Sequence, residues 1–343
     1  MSARLKSSIK FIIFLGVGVL LMYFAFRNVD LSQMLSDMKE AHYGWVLFSL
    51  LFSLVAHMSR AYRWGMLIEP LHVRPKFSNL FYSLCLGYFA NMAFPRLGEV
   101  TRCTALYEVE ETSIDSLFGT VIAERVIDLI SLIFLIFLTL AINFNLFGNF
   151  FMTLLRDKLS FVSHISSTFI FILAIAVISL IVAVYTMRKR IAKIPAISKV
   201  ISFLKGIVDG LQTVLKLKKW KAFLFHSVLI WFLYFVAGYF SFFAIPETTE
   251  LGFSAALFIL VLGGIGMSAP VQGGIGAYHF LVAGGLALYG IIPHPDPITG
   301  KEISKGLMYA TIVHSSQMLL ILVLGSVSIL MLNIEKRKQL KVS

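Results

Sequence analysis

From Ile9 to Leu332 the chain is a succession of apolar stretches separated by short polar connectors. A transmembrane helix needs roughly 20 apolar residues. Stretches of that order lie at about residues 9–26, 45–64, 117–142, 161–186, 222–245 and 306–332, with shorter ones at 80–94, 251–269 and 275–292. The whole sequence is 58% hydrophobic and 14% charged, against roughly 45–50% and about 25% in ordinary globular domains. The expected fold is an all-α, polytopic integral membrane protein with about 6–8 transmembrane helices, two of its segments broken or re-entrant. It reads as a single transmembrane domain over 1–343, because no soluble stretch reaches the ~50 residues a domain needs.

The net charge of +12 does not point to nucleic acid, because the charges lie between the apolar stretches and at the ends. Residues 188–221 carry ten Lys or Arg and a single acid, Asp209. The N-terminus (Arg4, Lys6, Lys10) and the tail (Lys336, Arg337, Lys338, Lys341) are also basic, whereas 27–44 and 246–251 are net acidic and 143–160 carries a net charge of only +1. Positive loops stay inside, so both termini are expected in the cytoplasm, in a bacterial inner membrane. The run after Lys10 lacks a small-residue cleavage site and reads as a retained signal anchor. Within 187–221, residues 197–215 are amphipathic at helical spacing, which fits a helix on the inner leaflet or one packed on the bundle. Two cysteines, Cys85 and Cys103, are too few for a disulfide framework.

A motif Met-x-x-Pro-x-x-Gly occurs twice, at Met92–Gly98 with Pro95 and at Met267–Gly273 with Pro270, about half the chain apart. Pro and Gly break helices, and broken helices survive in lipid only where protein or a watery cavity satisfies the freed backbone. Paired interruptions suggest a transport site between inverted repeats, here half-repeats of about 10–186 and 222–332 joined by 187–221. Chance similarity is the competing explanation. With both termini inside, the first motif enters from the cytoplasm and the second from outside.

Charges inside apolar spans are costly and mark function by default. Three clusters stand out: Arg60 and Arg63; Arg96, Glu99 and Arg102; and Glu124, Arg125 and Asp128. Two readings compete. Arg60 and Arg63 snorkel to the inner phosphates, with Arg125–Asp128 and Arg96–Glu99 as structural ion pairs. Alternatively, a polar cavity holds a lipid phosphate through Arg96 and Arg102, whose planar forks suit it, with Glu99 and Glu124 orienting them and Asn91 adding an amide contact. In the second motif Gly273, Gly274 and Gly276 allow left-handed backbone and close approach. A half-helix starting near Gly274 would attract an anion, and simple helix packing is the other reading. His279 follows this turn, and His314 lies in the last span.

Asn91…Pro95-Arg96-Leu97-Gly98-Glu99-x-x-Arg102, Glu124-Arg125-x-x-Asp128, the Gly-Gly-Ile-Gly-Ala of 273–277 and Arg60-x-x-Arg63-Trp64 together resemble the lysylphosphatidylglycerol synthase transmembrane-region family. The likeness extends over roughly residues 10–332. Two departures stand in the second motif: Gln272 where the family often has Pro, and His279 where a Glu is expected. The resemblance implies lipid translocation, in a stand-alone form without the aminoacyltransferase domain. Its substrate would be a membrane lipid with an anionic headgroup, and its partner a separately encoded lipid-modifying transferase. The alternatives are a membrane subunit of such a transferase, or an ion-coupled solute transporter using Glu124, Asp128 and His279 as a proton relay. No catalytic residue, metal site or cofactor is expected, since there is no Asp-x-Asp, no His/Cys spacing and no nucleotide loop.

Overall fold

The computed structural model describes residues 3–95, 97–110, 112–144, 146, 217–295 and 299–339. The expected span at 161–186, the amphipathic stretch at 197–215 and Arg96 lie outside the described residues. The described chain forms α1 (Ala3–Phe26), α2 (Leu31–Lys39), α3 (Tyr43–Ile68), α4 (Phe77–Ala93), α5 (Leu97–Glu110), α6 (Ile114–Ile142), α7 (Trp220–Ser241), α8 (Phe253–Ser268), α9 (Ala277–Ala287) and α10 (Lys305–Gln339). A two-residue strand pair, β1 (His294–Pro295) and β2 (Glu302–Ile303), precedes α10. Four helices, α3, α6, α7 and α10, are long and apolar enough to cross a membrane. The protein is an all-α, multi-pass membrane protein.

The pattern on these helices is inside out. In α3 the buried side carries Ser49, Ser53, His57, Arg60 and Arg63, while Leu47, Leu51, Val55 and Met58 are exposed. In α6 the buried side carries Thr120, Glu124 and Asp128, and Phe134 and Phe137 face outward. Each set recurs at three or four residues, so one stripe faces the bundle. Large apolar side chains face out because lipid is as apolar as they are. The short α2, which the sequence reading did not anticipate, is capped by Asp30, whose Oδ1 accepts from the backbone N–H groups of Ser32 and Gln33 at 3.0 and 3.1 Å.

The two proline motifs are the bends of two helical hairpins. α4 and α5, of 17 and 14 residues, are each shorter than the ~20 that span a bilayer. They pack antiparallel along their length: Gly87 abuts Gly98 near the bend, and Asn79 Nδ2 donates to Glu110 Oε1 at 2.8 Å at the open end. Phe94, preceding Pro95, is extended (φ −135°, ψ 121°), the conformation that a following proline favours. A Cβ on Gly98 would run into the Gly87 carbonyl oxygen. α8 and α9, of 16 and 11 residues, form the second hairpin, with Gly266 against Tyr278 and Gly285 against Leu262. Its bend uses left-handed Gly273 (φ 54°), Gly274 (φ 75°) and Gly276 (φ 83°). The second half-helix therefore starts at Ala277, three residues beyond the expected place.

α10 sets the two hairpins head to head. At its C-terminal end Lys76 pairs with Glu335, and Lys336 with Glu108 at 3.1 Å, beside the open end of the first hairpin. At its N-terminal end Lys305 pairs with Asp37 at 2.8 Å and Glu247 at 3.2 Å, beside the open end of the second. The bends meet between these ends, where the Cβ position of Gly273 faces Met318 of α10 and lies 4.0 Å from the Met92 Cα of α4. The two motifs thus approach one another from opposite ends of α10.

Candidate functional site

Two pairs of one-turn-spaced residues build the centre of the site. Arg60 and Arg63 stand on one face of α3, and Glu124 and Asp128 on one face of α6. Where the helices cross, Arg60 Nη1 donates to Glu124 Oε1 at 3.2 Å and Arg60 Nη2 lies 2.9 Å from Asp128 Oδ2. Arg63 Nη2 donates to Asp128 Oδ1 at 2.6 Å and lies 3.5 Å from Glu124 Oε1. Arg102 of α5 donates to Glu124 Oε2 at 2.9 Å. All five side chains are buried, Glu124 and Arg63 completely. Ser227 of α7 accepts from Arg63 Nη1 at 3.2 Å.

The aromatic wall of the cluster is cationic in its preference. The Arg102 guanidinium sits 4.7 Å from the Trp64 ring, Arg63 5.7 Å from Phe223 and Arg60 6.0 Å from Tyr234. Trp64 is fixed by its Nε1–H, which donates to Thr120 Oγ1 at 2.9 Å. A second ion pair, Arg125 Nη2 to Glu99 Oε1 at 3.0 Å, forms the open edge, with side chains 41% and 21% exposed.

The Arg125–Asp128 pairing within α6, one of the two readings of these charges, is replaced by pairings across helices; the Arg96–Glu99 pairing lies outside the described residues. Asp128 is held by Arg60 and Arg63 of α3, leaving Arg125 to turn toward Glu99 of α5. Arg60 and Arg63 point inward to carboxylates instead of snorkelling outward. Asn91 serves the backbone: its Oδ1 accepts from Gly98 N–H at 2.7 Å, capping α5 from the neighbouring helix. Gln272 and His279 form no hydrogen bond or ion pair with the arginine cluster among the described residues. They are buried at the second bend, where the His279 and His314 ring centroids are 5.0 Å apart and Tyr278 stacks on His314 at 4.9 Å.

Four arginines, 60, 63, 102 and 125, meet three carboxylates, 99, 124 and 128, so the described cluster carries one excess positive charge. Its donors are also in surplus. Arg102 Nε and Nη1 and the Nε atoms of Arg60, Arg63 and Arg125 are buried without a hydrogen-bond partner among the described residues. Buried donors are normally satisfied, so this arrangement suits an anion with several acceptor oxygens.

A family model for the lysylphosphatidylglycerol synthase TM region matches residues 9–325, which include every charged residue of the cluster. The chain belongs to the lysylphosphatidylglycerol synthase TM region family. It is also similar to a UPF0104 membrane protein of Methanocaldococcus jannaschii, at 27% identity over 143 residues, a stretch covering 40% of each chain. No solved structure matches it. The sequence reading omitted His57, Thr120 and Ser227. His57 is buried one turn before Arg60, its ring 5.1 Å from Tyr88 and 6.4 Å from Tyr234, with neither nitrogen hydrogen-bonded among the described residues. The signal for it was its register: Ser49, Ser53, His57 and Arg60 share one helical stripe.

Proposed function

We propose that this protein moves a lipid with an anionic phosphate headgroup between the leaflets of a membrane. The observation that carries the reading is the buried cluster with one positive charge in excess and five guanidinium N–H positions unpartnered among the described residues. A phosphate supplies the missing charge and acceptor oxygens, and arginine binds it through paired, charge-assisted hydrogen bonds. Arg125 at the open edge is the first contact, where the phosphate competes with Glu99. Arg102 and Arg60 take it next. Glu124 and Asp128 hold the guanidinium planes in place. The opposed hairpins meet at Met92 and Gly273, which suits half-repeats of about 10–186 and 222–332 with Gln272 and His279 at the second bend. The basic connectors support a topology with both termini in the cytoplasm. A separately encoded transferase supplies the lipid.

The test is leaflet exchange by purified protein in liposomes, using fluorescent phosphatidylglycerol, phosphatidylethanolamine and a polyprenyl phosphate. Inner-leaflet probe should become accessible to a membrane-impermeant reductant, and Arg102→Gln should abolish this while Arg102→Lys retains part of it. Wild-type exchange in an Arg102→Gln protein with a native melting profile refutes the site. No exchange of any probe by folded wild-type protein refutes the function.

A further inference from the structure

The polar stripe of α3 does not stop at its arginines. Ser53, His57 and Arg60 follow one another at one-turn spacing on its buried side. His57 is wedged between the rings of Tyr88 of α4 and Tyr234 of α7. Both of its ring nitrogens are buried without a hydrogen-bond partner among the described residues, although a neutral imidazole carries one donor and one acceptor. The other charged and titratable groups around it are Arg60 on its own helix and, across Arg60, Glu124 and Asp128 of α6; α10 presents the neutral Gln317. Both carboxylates are committed to arginines, so the group beside the cluster with an open proton acceptor is His57.

A row of polar side chains leads from His57 to the second bend. Gln317 Nε2 donates to Ser53 Oγ at 2.8 Å. One turn earlier on α10 stands His314, its ring 5.0 Å from that of His279 on α9. Tyr278 stacks on His314, and Phe26 of α1 lies 6.0 Å from His279. His314 Nε2 and His279 Nδ1 are also buried without a hydrogen-bond partner among the described residues. α3 and α10 run parallel, since Lys76, just beyond α3, pairs with Glu335 near the end of α10. From His314 to Arg60 the row therefore advances about 15 Å along these helices, half of a ~30 Å hydrocarbon core. Each step along a helix is one turn, a gap that one water bridges.

We infer that His57 binds one proton when the cluster binds an anionic headgroup, and that the row from His279 to Ser53 delivers it. The inference rests on the headgroup reading above and adds the ion that accompanies the lipid. Alone, the cluster carries one positive charge in excess, which repels a second one turn away on His57. A phosphodiester cancels that excess, so anion and proton favour one another's binding by linkage. No bond in the lipid is made or broken. Water at one face gives up the proton, an imidazole nitrogen holds it, and water at the other face receives it. Lipid and proton then cross as a neutral pair, without work against the membrane potential.

Calorimetric titration of full-length, detergent-purified protein with a short-chain phosphatidylglycerol, in buffers of different ionisation enthalpy, counts the protons taken up per lipid bound. The range is about pH 5 to 8, where histidine is the side chain that ordinarily titrates and the phosphodiester keeps its single charge. Short-chain phosphatidylcholine corrects for partition into micelles. Uptake should approach one proton per phosphatidylglycerol, with affinity falling about tenfold for each pH unit over which uptake is complete. His57→Gln, polar but without a titrating group, should bind with no uptake and a flat profile; His57→Asn gives the same reading where glutamine does not fold. Three results overturn the inference: wild-type binding without uptake, uptake undiminished in the folded variant, or a folded variant that binds at no pH. His314→Gln should slow leaflet exchange and leave equilibrium uptake intact; unslowed exchange overturns delivery by this row. Wild-type binding without uptake leaves the headgroup reading standing, whereas no binding of phosphatidylglycerol at any pH refutes that reading and this one with it.

Discussion

Glu124→Gln removes one negative charge from the centre of the arginine cluster at almost constant volume. Glu124 Oε1 and Oε2 accept from Arg60 at 3.2 Å and Arg102 at 2.9 Å, and Oε1 lies 3.5 Å from Arg63 Nη2. The substitution raises the excess of the described cluster from one positive charge to two at a side chain that is completely buried. Breaking a buried pair by deleting one partner costs about 3–5 kcal/mol, and the amide oxygen that remains places this variant near the lower end. Glu99→Gln is the control. Its pair with Arg125 is partly solvated, with side chains 21% and 41% exposed, and such pairs are worth roughly 0–1 kcal/mol. The two variants should therefore differ by at least about 2 kcal/mol, a melting difference on the order of 5 °C. Cys85 and Cys103 are both buried and free, so a fluorogenic maleimide reports unfolding of detergent-purified protein without added labels. Adding Arg102→Gln to Glu124→Gln should recover part of the loss, because it removes the stranded charge. A Glu124→Gln protein that melts with wild type, or no lower than Glu99→Gln, refutes the account of Glu124 as the buried counter-charge of the arginine cluster.

Gly98→Val should lower the yield of folded protein sharply, since even a Cβ there meets the Gly87 carbonyl and the Asn91 amide; size-exclusion profiles of expressed protein check this. Asn91→Ala leaves the Gly98 N–H without its cap, so a melting loss of about 1 kcal/mol is expected. The hydrogen bond from Ser32 holds the Asp30 carboxyl below the usual carboxylate range. A depressed folded value means that its contribution is full above the unfolded value of about 3.9 and is lost as pH falls through the folded one. Amide exchange in α2 should accelerate on acidification below about pH 4, and Asp30→Asn should remove that step.

Much of the architecture was legible because lipid imposes simple rules. Spans and bends follow from apolar length and from Pro95 and Pro270. The opposed entry of the two motifs followed from loop charge alone. Partner choice was not legible. Arg125 and Asp128 are three apart on one helix and read as a pair, but Asp128 lies only about 40° around the axis from Glu124 and shares its neighbour, α3. Which helix faces which stripe depends on the crossing of α3, α5 and α6, and no local pattern encodes that crossing. His57 and Ser227 were passed over for a related reason: an uncharged polar residue in an apolar run costs too little to stand out until its neighbours are known.

The head-to-head hairpins also bear on how the chain is assembled. α4 finishes at Ala93, yet the helix it lies along, α10, begins at Lys305, 35 residues long and near the end of the sequence. At about 5–20 residues per second, a ribosome takes roughly 10–40 s to cover that interval. Through that time the legs of the first hairpin, each too short to span on its own, sit in the membrane without the strut that later fixes both bends. The arginine–carboxylate cluster joins α3, α5 and α6, all made before the last helix, so this lock is free to close first. The cluster is then a fastening of the nascent chain as well as a seat for a headgroup, and a chain stopped before Lys305 should retain it.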